Sequence, residues 1–302
     1  MIKINSLSGG KTSSYMAVHH PADIELFAVV CIDDVRCKPD RYIHEYASRK
    51  LERYAPVHGE FIATAEDDRT LVAMMDLEQI IGREIVWTRG ISFDRLIDEG
   101  DQTRLPSWAR RYCTVQMKLM AIFQYWFENV GQMVDMRIGF RFDEFKRMER
   151  FFNNQDPSRF SIPVSCDTRG SRRMRHQDFK WRYVSMPLIE AGVTKSMVDE
   201  YWRKNNRIPG DLFNAERHIE FPAISNCVGC FHKPIEHLAC QAIMNRTKME
   251  WFADQEEKQM GRWLDQNTTY RHIIDNAFEL AKETYFEVVH TNQTCDSEGC
   301  TS

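Results

Sequence analysis

The sequence lacks the features that mark membrane, secreted and strongly basic proteins. It has no run of 18 apolar residues and no basic-then-apolar start, so we expect no membrane span and no signal peptide. Its 40 Lys and Arg against 44 Asp and Glu give a net charge of -4, a balance without the footprint of a nucleic-acid-binding protein. These absences predict a cytoplasmic protein with no membrane partner. They leave open whether it binds nucleic acid and whether it forms oligomers.

The nine cysteines do not form the pattern of a disulfide-stapled domain. Their number is odd, and the chain shows no secretory segment that would direct it to an oxidising compartment. Reduced thiols that bind a metal or carry out redox chemistry are therefore the better expectation. Internal repeats and low-complexity segments are also missing.

What the sequence does contain is an alternation of strand and helix patterns. Strand patterns cover 2–5, 25–32, 60–64, 134–140 and 181–186, and helix patterns cover 13–19, 41–54, 115–129 and 195–205. This order predicts an α/β fold, a doubly wound and mainly parallel sheet with helices on both faces.

Two parts of the chain depart from this alternation. The stretch 153–177 is polar and interrupted by Pro, Gly and Arg, which predicts a long loop or lid. From residue 221 onward, cysteines and helix patterns dominate. We therefore predict a nucleotide-binding domain over 1–220 and a helical, Cys-rich C-terminal extension over 221–302.

The segment SLSGGKTSSYMAV, residues 6–18, joins the first strand to the first helix. Backbone N–H groups at a helix N-terminus favour anions, and glycines let the backbone approach a phosphate closely. A Walker A loop would need a glycine at Asn5, and GxGxxG is absent. An ordinary tight turn is the simpler alternative. We predict an oxyanion site formed by Ser8, Gly9, Gly10, Lys11, Thr12 and Ser13.

Charged residues after other strands and on a helix are further candidates. Asp33 and Asp34 end the second strand at the edge where ligands of open α/β sheets bind, although a solvated acidic turn fits equally well. Arg141 and Arg147 follow the strand at 134–140. They could grip a phosphate or sulfate bidentately with Glu144 orienting one of them, or they could form a surface ion-pair cluster. Lys118 is either a phosphate contact or an exposed helix lysine.

Cys227 and Cys230 form a CxxC pair. This spacing suits zinc, an iron–sulfur cluster or a redox-active dithiol, and the spacing alone does not choose among them.

Five segments together resemble the phosphoadenosine phosphosulfate (PAPS) reductase-like family of the adenine nucleotide alpha-hydrolase superfamily, many of whose members are bacteriophage proteins. SLSGGKTS resembles the PP-loop SGGxDS, and Ile138–Arg147 resembles the family's I-G-x-R-x-D-E-x-x-R segment. The other three are Tyr112-Cys113-Thr114 with Lys118, Met186-Pro187-Leu188, and Asn226-Cys227-Val228-Gly229-Cys230-Phe231. A Cys-rich tail, Cys295 to Cys300, also resembles the phage members.

The resemblance implies a nucleotide site and a metal site. Ser6, Gly139 and Arg141 would join the glycine loop in binding an adenine nucleotide, with Mg²⁺ as a further ion, and Asp33 and Asp34 would lie near the adenosine. Cys113, Cys227, Cys230 and Cys295 would hold a [4Fe–4S] cluster, or alternatively zinc. Cys240 and Cys300 are other candidates for the fourth ligand. Cys295 or Cys300 would act as the nucleophile. If the protein is phage-encoded, it would work in the host cytoplasm.

This chain departs from the family at three positions. Thr12 replaces the PP-loop aspartate, Tyr112 replaces one cysteine of a ligand pair, and the reductase segment E-C-G-L-H is missing. Three hypotheses therefore stay open. The first is a sulfonucleotide reductase-like enzyme that uses a thiol electron donor. The second is an ATP pyrophosphatase that adenylates a substrate, such as nucleic acid, for sulfur insertion from a sulfur donor. The third is a non-catalytic nucleotide- and metal-binding partner protein.

Overall fold

A computed structural model describes most of the chain. The described residues are 1–98, 105–107, 111–154, 156–166, 174–208, 218–224, 227–264 and 268–291. Within them, no helix is both long enough and apolar enough to span a bilayer.

The strands and helices alternate as the sequence predicts. The strands are β1 Ile2–Leu7, β2 Ile24–Val29, β3 Cys31–Ile32, β4 Ala63–Thr64, β5 Ile85–Arg89, β6 Val134–Ile138, β7 Arg159–Cys166, β8 Met174–Lys180 and β9 Arg182–Ser185. The first eight helices are α1 Lys11–His19, α2 Arg41–Tyr54, α3 Asp68–Ile81, α4 Phe93–Asp98, α5 Met120–Asn129, α6 Phe145–Asn154, α7 Pro187–Glu190 and α8 Lys195–Lys204. The last four are α9 Ile235–Met244, α10 Arg246–Lys258, α11 Tyr270–Asp275 and α12 Ala277–Thr291. A π-helix at Thr114–Leu119 leads into α5.

Five strands form a parallel central sheet in the order β5-β2-β1-β6-β9. Five of the six residues of β2 are buried, because helices cover both faces of the sheet. Leu26 and Ala28 pack towards α5, whereas Phe27 and Val29 pack towards α1 and α3. The predicted α/β fold with a parallel sheet between helices is confirmed at this level.

The strand order changes direction at β1. From β1 the chain builds β2 and β5 on one side of it, and later adds β6 and β9 on the other. Connections on the two sides of such a boundary diverge and leave a crevice at the carboxyl ends of the strands. The glycine loop after β1 and the segment after β6 therefore lie at the same crevice.

Two sequence-based element predictions are wrong. The third central strand is β5, whereas the predicted strand at 60–64 contributes only Ala63–Thr64, which pairs with β3 in a separate small sheet. The predicted loop at 153–177 contains β7 and the start of β8, which pair antiparallel as a hairpin. Phe160 and Phe179 are partners in that hairpin, and both rings pack on Phe123 of α5. This packing orders a segment whose composition resembles a loop.

The C-terminal helices form a layer that shares its core with the first part of the chain. Trp251, Phe252 and Trp263 belong to the same apolar cluster as Val30 and Ile32, which follow β2. Cys240 is buried in this layer, as its apolar neighbours in the sequence suggested. The tail cysteines Cys295 and Cys300 lie outside the described residues.

A glycine in this layer provides a test of the packing. A Cβ at Gly229 would lie 2.4 Å from the ring of Phe252, which is fully buried and cannot move aside. We expect Gly229→Ala to lower the free energy of unfolding by about 1–3 kcal/mol, as measured by urea denaturation. The matched change Gly261→Ala meets Leu105 at 3.5 Å and the Gln259 carbonyl at 3.7 Å, both ordinary contact distances, and should cost less than about 0.5 kcal/mol. Equal stability of the two variants would contradict this description of the layer.

Candidate functional site

The loop after β1 is held in one conformation by a glycine and a close neighbour. Gly9 has φ of +80°, a backbone conformation that favours glycine, and its missing side chain leaves room for Thr70 of α3. A Cβ on Gly9 would lie 2.2 Å from Thr70 Cγ2. Both sterics and backbone geometry therefore require glycine here.

Hydroxyl groups close the loop onto the first turn of α1. Ser13 Oγ accepts a hydrogen bond from the Ser8 N–H at 3.1 Å and donates to the Gly10 carbonyl, also at 3.1 Å. Gly10 is the N-cap residue, so no cap side chain accepts from the first-turn N–H groups. The predicted hydroxyl donors Ser8 and Ser13 therefore shape the loop, and the backbone N–H groups are the donors best placed for an anion.

The segment after β6 meets this loop directly. An added Cβ on Gly139 would lie 3.3 Å from Ser13 Cα, a tight contact, so the segment after β6 packs closely against the first turn of α1. Arg141 Nη1 donates to Thr12 Oγ1 at 3.0 Å. Residues about 130 positions apart in the sequence thus converge at the crevice between β1 and β6.

Arg141 is nearly buried, and its guanidinium forms ion pairs with two carboxylates. Arg141 Nε lies 3.1 Å from Asp143 Oδ1, and Glu144 accepts from the Arg141 backbone N–H at 3.0 Å. Arg147 pairs with the other oxygen of Glu144 and lies over the Phe140 ring. Glu144 thus contacts both predicted arginines and Asp143 contacts Arg141, an arrangement that fits either an oriented anion site or an ion-pair cluster.

Lys11 opens onto a cleft beside the loop. Its Nζ lies 3.5 Å from Asp199 of α8, and Lys195 Nζ lies 3.7 Å from the same carboxylate. The cleft has a volume of about 790 Å³, within the range of small-molecule sites. It is lined by Lys11, Lys195, Ser196, Asp199, Glu200, Trp202, Arg203, Asn206, Ile219 and Phe221.

Three other predicted nucleotide-binding residues lie within β1 or directly after β3. Ser6 is buried within β1, in register with Ile138. Asp33 accepts from Ser92 Oγ at 2.5 Å, and its N–H donates to Asp94. Asp34 pairs with Arg36 at 2.6 Å. Burial alone would raise the pKa of Asp34, but hydrogen bonds from Arg36 lower it below its usual value.

Lys118 has a carboxylate partner that sequence reasoning missed. Its Nζ lies 3.1 Å from Oε1 of Glu66, a fully buried residue. The other oxygen of Glu66 accepts from the Val30 N–H at 3.4 Å, and the Glu66 backbone forms a bridge with Cys227. A single acid after a short strand carries no local signal of this role.

The CxxC pair forms a tight turn on this part of the molecule. The Cys230 N–H donates to the Cys227 carbonyl at 3.1 Å, and Lys233 Nζ donates to the same carbonyl at 2.6 Å. The Tyr270 hydroxyl donates to Gly229 O at 2.9 Å. Burial and the negative charges of Cys230, Glu256 and Cys227 keep the pKa of Tyr270 well above its usual value.

The segment of Cys113 shares an apolar cluster with the CxxC turn. Cys113 and Cys227 pack against the same apolar cluster, and burial with the nearby charge of Arg111 lowers the pKa of His232 to about 4. Among the residues that the structure describes, however, no three Cys, His, Asp or Glu side chains are arranged to hold a metal ion. Cys295, the predicted fourth ligand, is outside that part.

Both groups of residues lie at the carboxyl edge of the sheet. The phosphate corner (Ser8–Ser13, Gly139 and Arg141) follows β1 and β6. The thiol corner (Cys113, Lys118, Glu66, Cys227 and Cys230) lies beyond β2 and β5. The π-helix packs closely against the end of β5 there, because a Cβ on Gly90 would lie only 2.7 Å from the Gln116 carbonyl oxygen. Strands are spaced about 4.8 Å apart, so β1 and β5 are separated by about 10 Å. A nucleotide-sized molecule could span the two corners.

Comparison of the chain with protein-family models, with curated proteins and with solved structures finds no match.

The loop geometry gives a direct test at two adjacent glycines. Gly9→Ala should lower the free energy of unfolding by about 1–3 kcal/mol, because the new methyl group meets Thr70 and the positive φ is strained. Gly10 has φ of -107°, and a Cβ there would meet only Ser8 Oγ within 4 Å. The free energy of unfolding of Gly10→Ala should therefore lie within about 1 kcal/mol of that of the parent.

Thermal or urea unfolding of both variants checks this contrast. A Gly9→Ala protein as stable as Gly10→Ala would show that Thr70 does not pack on the loop. The contrast also shows that a bulky change at Gly9 perturbs folding, so Gly10 is the better position for binding studies.

Proposed function

We propose that this protein binds the phosphate or phosphosulfate chain of an adenine nucleotide at the phosphate corner and performs sulfur chemistry at the neighbouring thiol corner. The observation that carries the proposal is the convergence of the glycine loop with Gly139 and Arg141 at the boundary between β1 and β6. Crevices at this position in doubly wound sheets are where nucleotides bind. The preference for adenine rests on the resemblance of the sequence motifs.

The charges at the phosphate corner suit an oxyanion bound directly by the protein. The first turn of α1 supplies backbone N–H groups and the positive end of the helix dipole, and Lys11 adds a full charge. The residue at the position of the PP-loop aspartate is Thr12, whose hydroxyl accepts from Arg141. Asp143 and Glu144 already pair with Arg141. With no carboxylate at position 12 to organise Mg²⁺, Lys11 and the backbone N–H groups favour a phosphosulfate held directly by the protein over a nucleotide held through Mg²⁺.

The reaction we assign is reduction of a sulfonucleotide. A cysteine thiolate attacks the sulfur, an S–S bond forms as the S–O bond to phosphate breaks, and the adenine nucleotide leaves with that electron pair on its phosphate oxygen. A thiol donor then attacks the enzyme cysteine sulfur, which releases sulfite and leaves a disulfide. Cys295 or Cys300 is the nucleophile in this proposal.

A [4Fe–4S] cluster or a zinc ion on Cys113, Cys227, Cys230 and Cys295 stays part of the proposal, but no step depends on it. The described residues do not by themselves supply three converging ligands. What they do supply is a CxxC turn whose backbone carbonyls accept hydrogen bonds from Lys233 and Tyr270.

One observation favours a second candidate function. The cleft between Lys11 and α8 adjoins the loop and offers room for a second substrate. An ATP pyrophosphatase that adenylates such a substrate before sulfur insertion would use both spaces. Sulfite release from PAPS with a thiol donor supports the first function, and pyrophosphate release from ATP and Mg²⁺ with a candidate acceptor supports the second. Tight nucleotide binding with neither product would indicate a non-catalytic binding protein.

The binding proposal predicts the effect of removing the Lys11 charge. A hydrogen bond to a charged group is worth about 1.5–3 kcal/mol, so Lys11→Met should raise the Kd for PAPS or ATP at least about tenfold in calorimetry. Asp199→Asn removes a competing carboxylate and should not raise Kd.

Lys204→Met is the matched control, because Lys204 is exposed on α8 and is not among the residues that line the cleft. Unchanged affinity in Lys11→Met, with Gly10→Ala also unchanged, would rule out the loop as the nucleotide site.

A further inference from the structure

Positive and negative residues are unevenly distributed along the chain, although its net charge is small. Residues 145–182 contain ten Lys and Arg against four Asp and Glu, whereas the rest of the chain contains 30 against 40. That segment therefore carries +6 and the remainder -10. Those of its residues that the structure describes form α6, β7 and β8 and begin β9. A concentrated positive segment on an acidic protein is the electrostatic signature of a polyanion-binding surface.

The helix α6 also exposes large apolar side chains. Phe142 is 55% exposed, Phe145 49% and Phe152 45%. The opposite side of the helix is occupied, because Met148 and Phe151 pack on the cluster of Ile138, Phe140 and Met186. Exposed aromatic rings grouped on one short segment are unusual on a protein surface and indicate a binding surface.

Two cations accompany these rings. Lys146 and Arg150 are exposed, four residues apart and therefore on the same side of α6. The acids just before the helix, Asp143 and Glu144, are bound to Arg141 and Arg147 and so do not neutralise this pair. Glu149 is the acid within the helix itself. Lys146 and Arg150 are thus available to an anionic partner.

The surface begins beside the phosphate corner. Phe142 follows Arg141, whose guanidinium contacts Thr12, and the Phe142 N–H donates to the Val193 carbonyl at 2.8 Å. A helix of ten residues then extends it by about 15 Å. A chain-like ligand lying on α6 would therefore reach the crevice at one end.

We infer that the outer face of α6, formed by Phe142, Phe145, Lys146, Arg150 and Phe152, binds single-stranded nucleic acid. Aromatic rings stack on unpaired bases, and the cations contact the phosphates between them. A duplex would use the cations but leave the rings without bases to stack on. The inference does not depend on the proposed nucleotide site. If both hold, nucleic acid is a substrate that approaches that site.

Fluorescence anisotropy with a labelled 20-mer, prepared as DNA and as RNA of one sequence, tests the inference on the full chain. We expect salt-dependent binding of the single strand that is tighter than binding of the matching duplex. The double variant Lys146→Gln, Arg150→Gln should weaken it at least about tenfold and reduce the salt slope by about 1.4. Phe145→Ala should weaken it about fivefold to a hundredfold. Tighter binding of DNA or of RNA shows which sugar the surface prefers, and either preference supports the inference.

Controls come from exposed residues elsewhere. Phe278 is 80% exposed on α12, and Arg41 and Arg49 lie exposed on α2. Phe278→Ala and the double variant Arg41→Gln, Arg49→Gln should bind like the parent. Any of three results would overturn the inference. The first is no binding at 50 mM salt, and the second is an equal loss of affinity in the control variants. The third is equal affinity for single strand and duplex that Phe145→Ala leaves unchanged. The α6 variants should bind ATP or PAPS like the parent, so failure of this inference and failure of the nucleotide-binding proposal can be told apart.

Discussion

The arrangement of the crevice depends on the contact between the end of β6 and the first turn of α1. Gly139 lies against Ser13, and Arg141 reaches Thr12 from the same segment. A nearly buried guanidinium is costly unless it is hydrogen-bonded and paired, and Thr12, Asp143 and Glu144 meet that requirement. Displacing α1 would leave this charge without one of its partners. The loop is therefore organised before any ligand arrives, which lowers the entropy cost of binding.

Acidic and basic groups are sorted around this contact. The carboxylates near the carboxyl edge have partners: Glu66 pairs with Lys118, Asp34 with Arg36, and Asp199 lies between Lys11 and Lys195. The result is an edge where positive charge faces the crevice from α1 and negative charge is held in pairs to either side. Such sorting favours an anionic ligand, and the aromatic and basic face of α6 extends the same preference outward.

Local sequence signals predicted some features well and others poorly. The glycine turn between β1 and α1 lies where the sequence predicts it, because it depends on residues close in sequence. The strand β5 and the β7–β8 hairpin were missed. The hairpin contains Pro163 and a polar sequence, and it is ordered by Phe160 and Phe179 packing on α5. Burial from a distant helix outweighed the local composition.

The sequence by itself determined the α/β class and the glycine turn after β1, because strand and helix periodicities and turn residues act over a few positions. Only the tertiary structure decided that Arg141 meets Thr12, that Lys118 pairs with Glu66 and that Gly9 is confined by Thr70. These contacts join residues separated by about 50 positions or more, and they follow from the order of strands in the sheet. Nothing in the local pattern specifies that order.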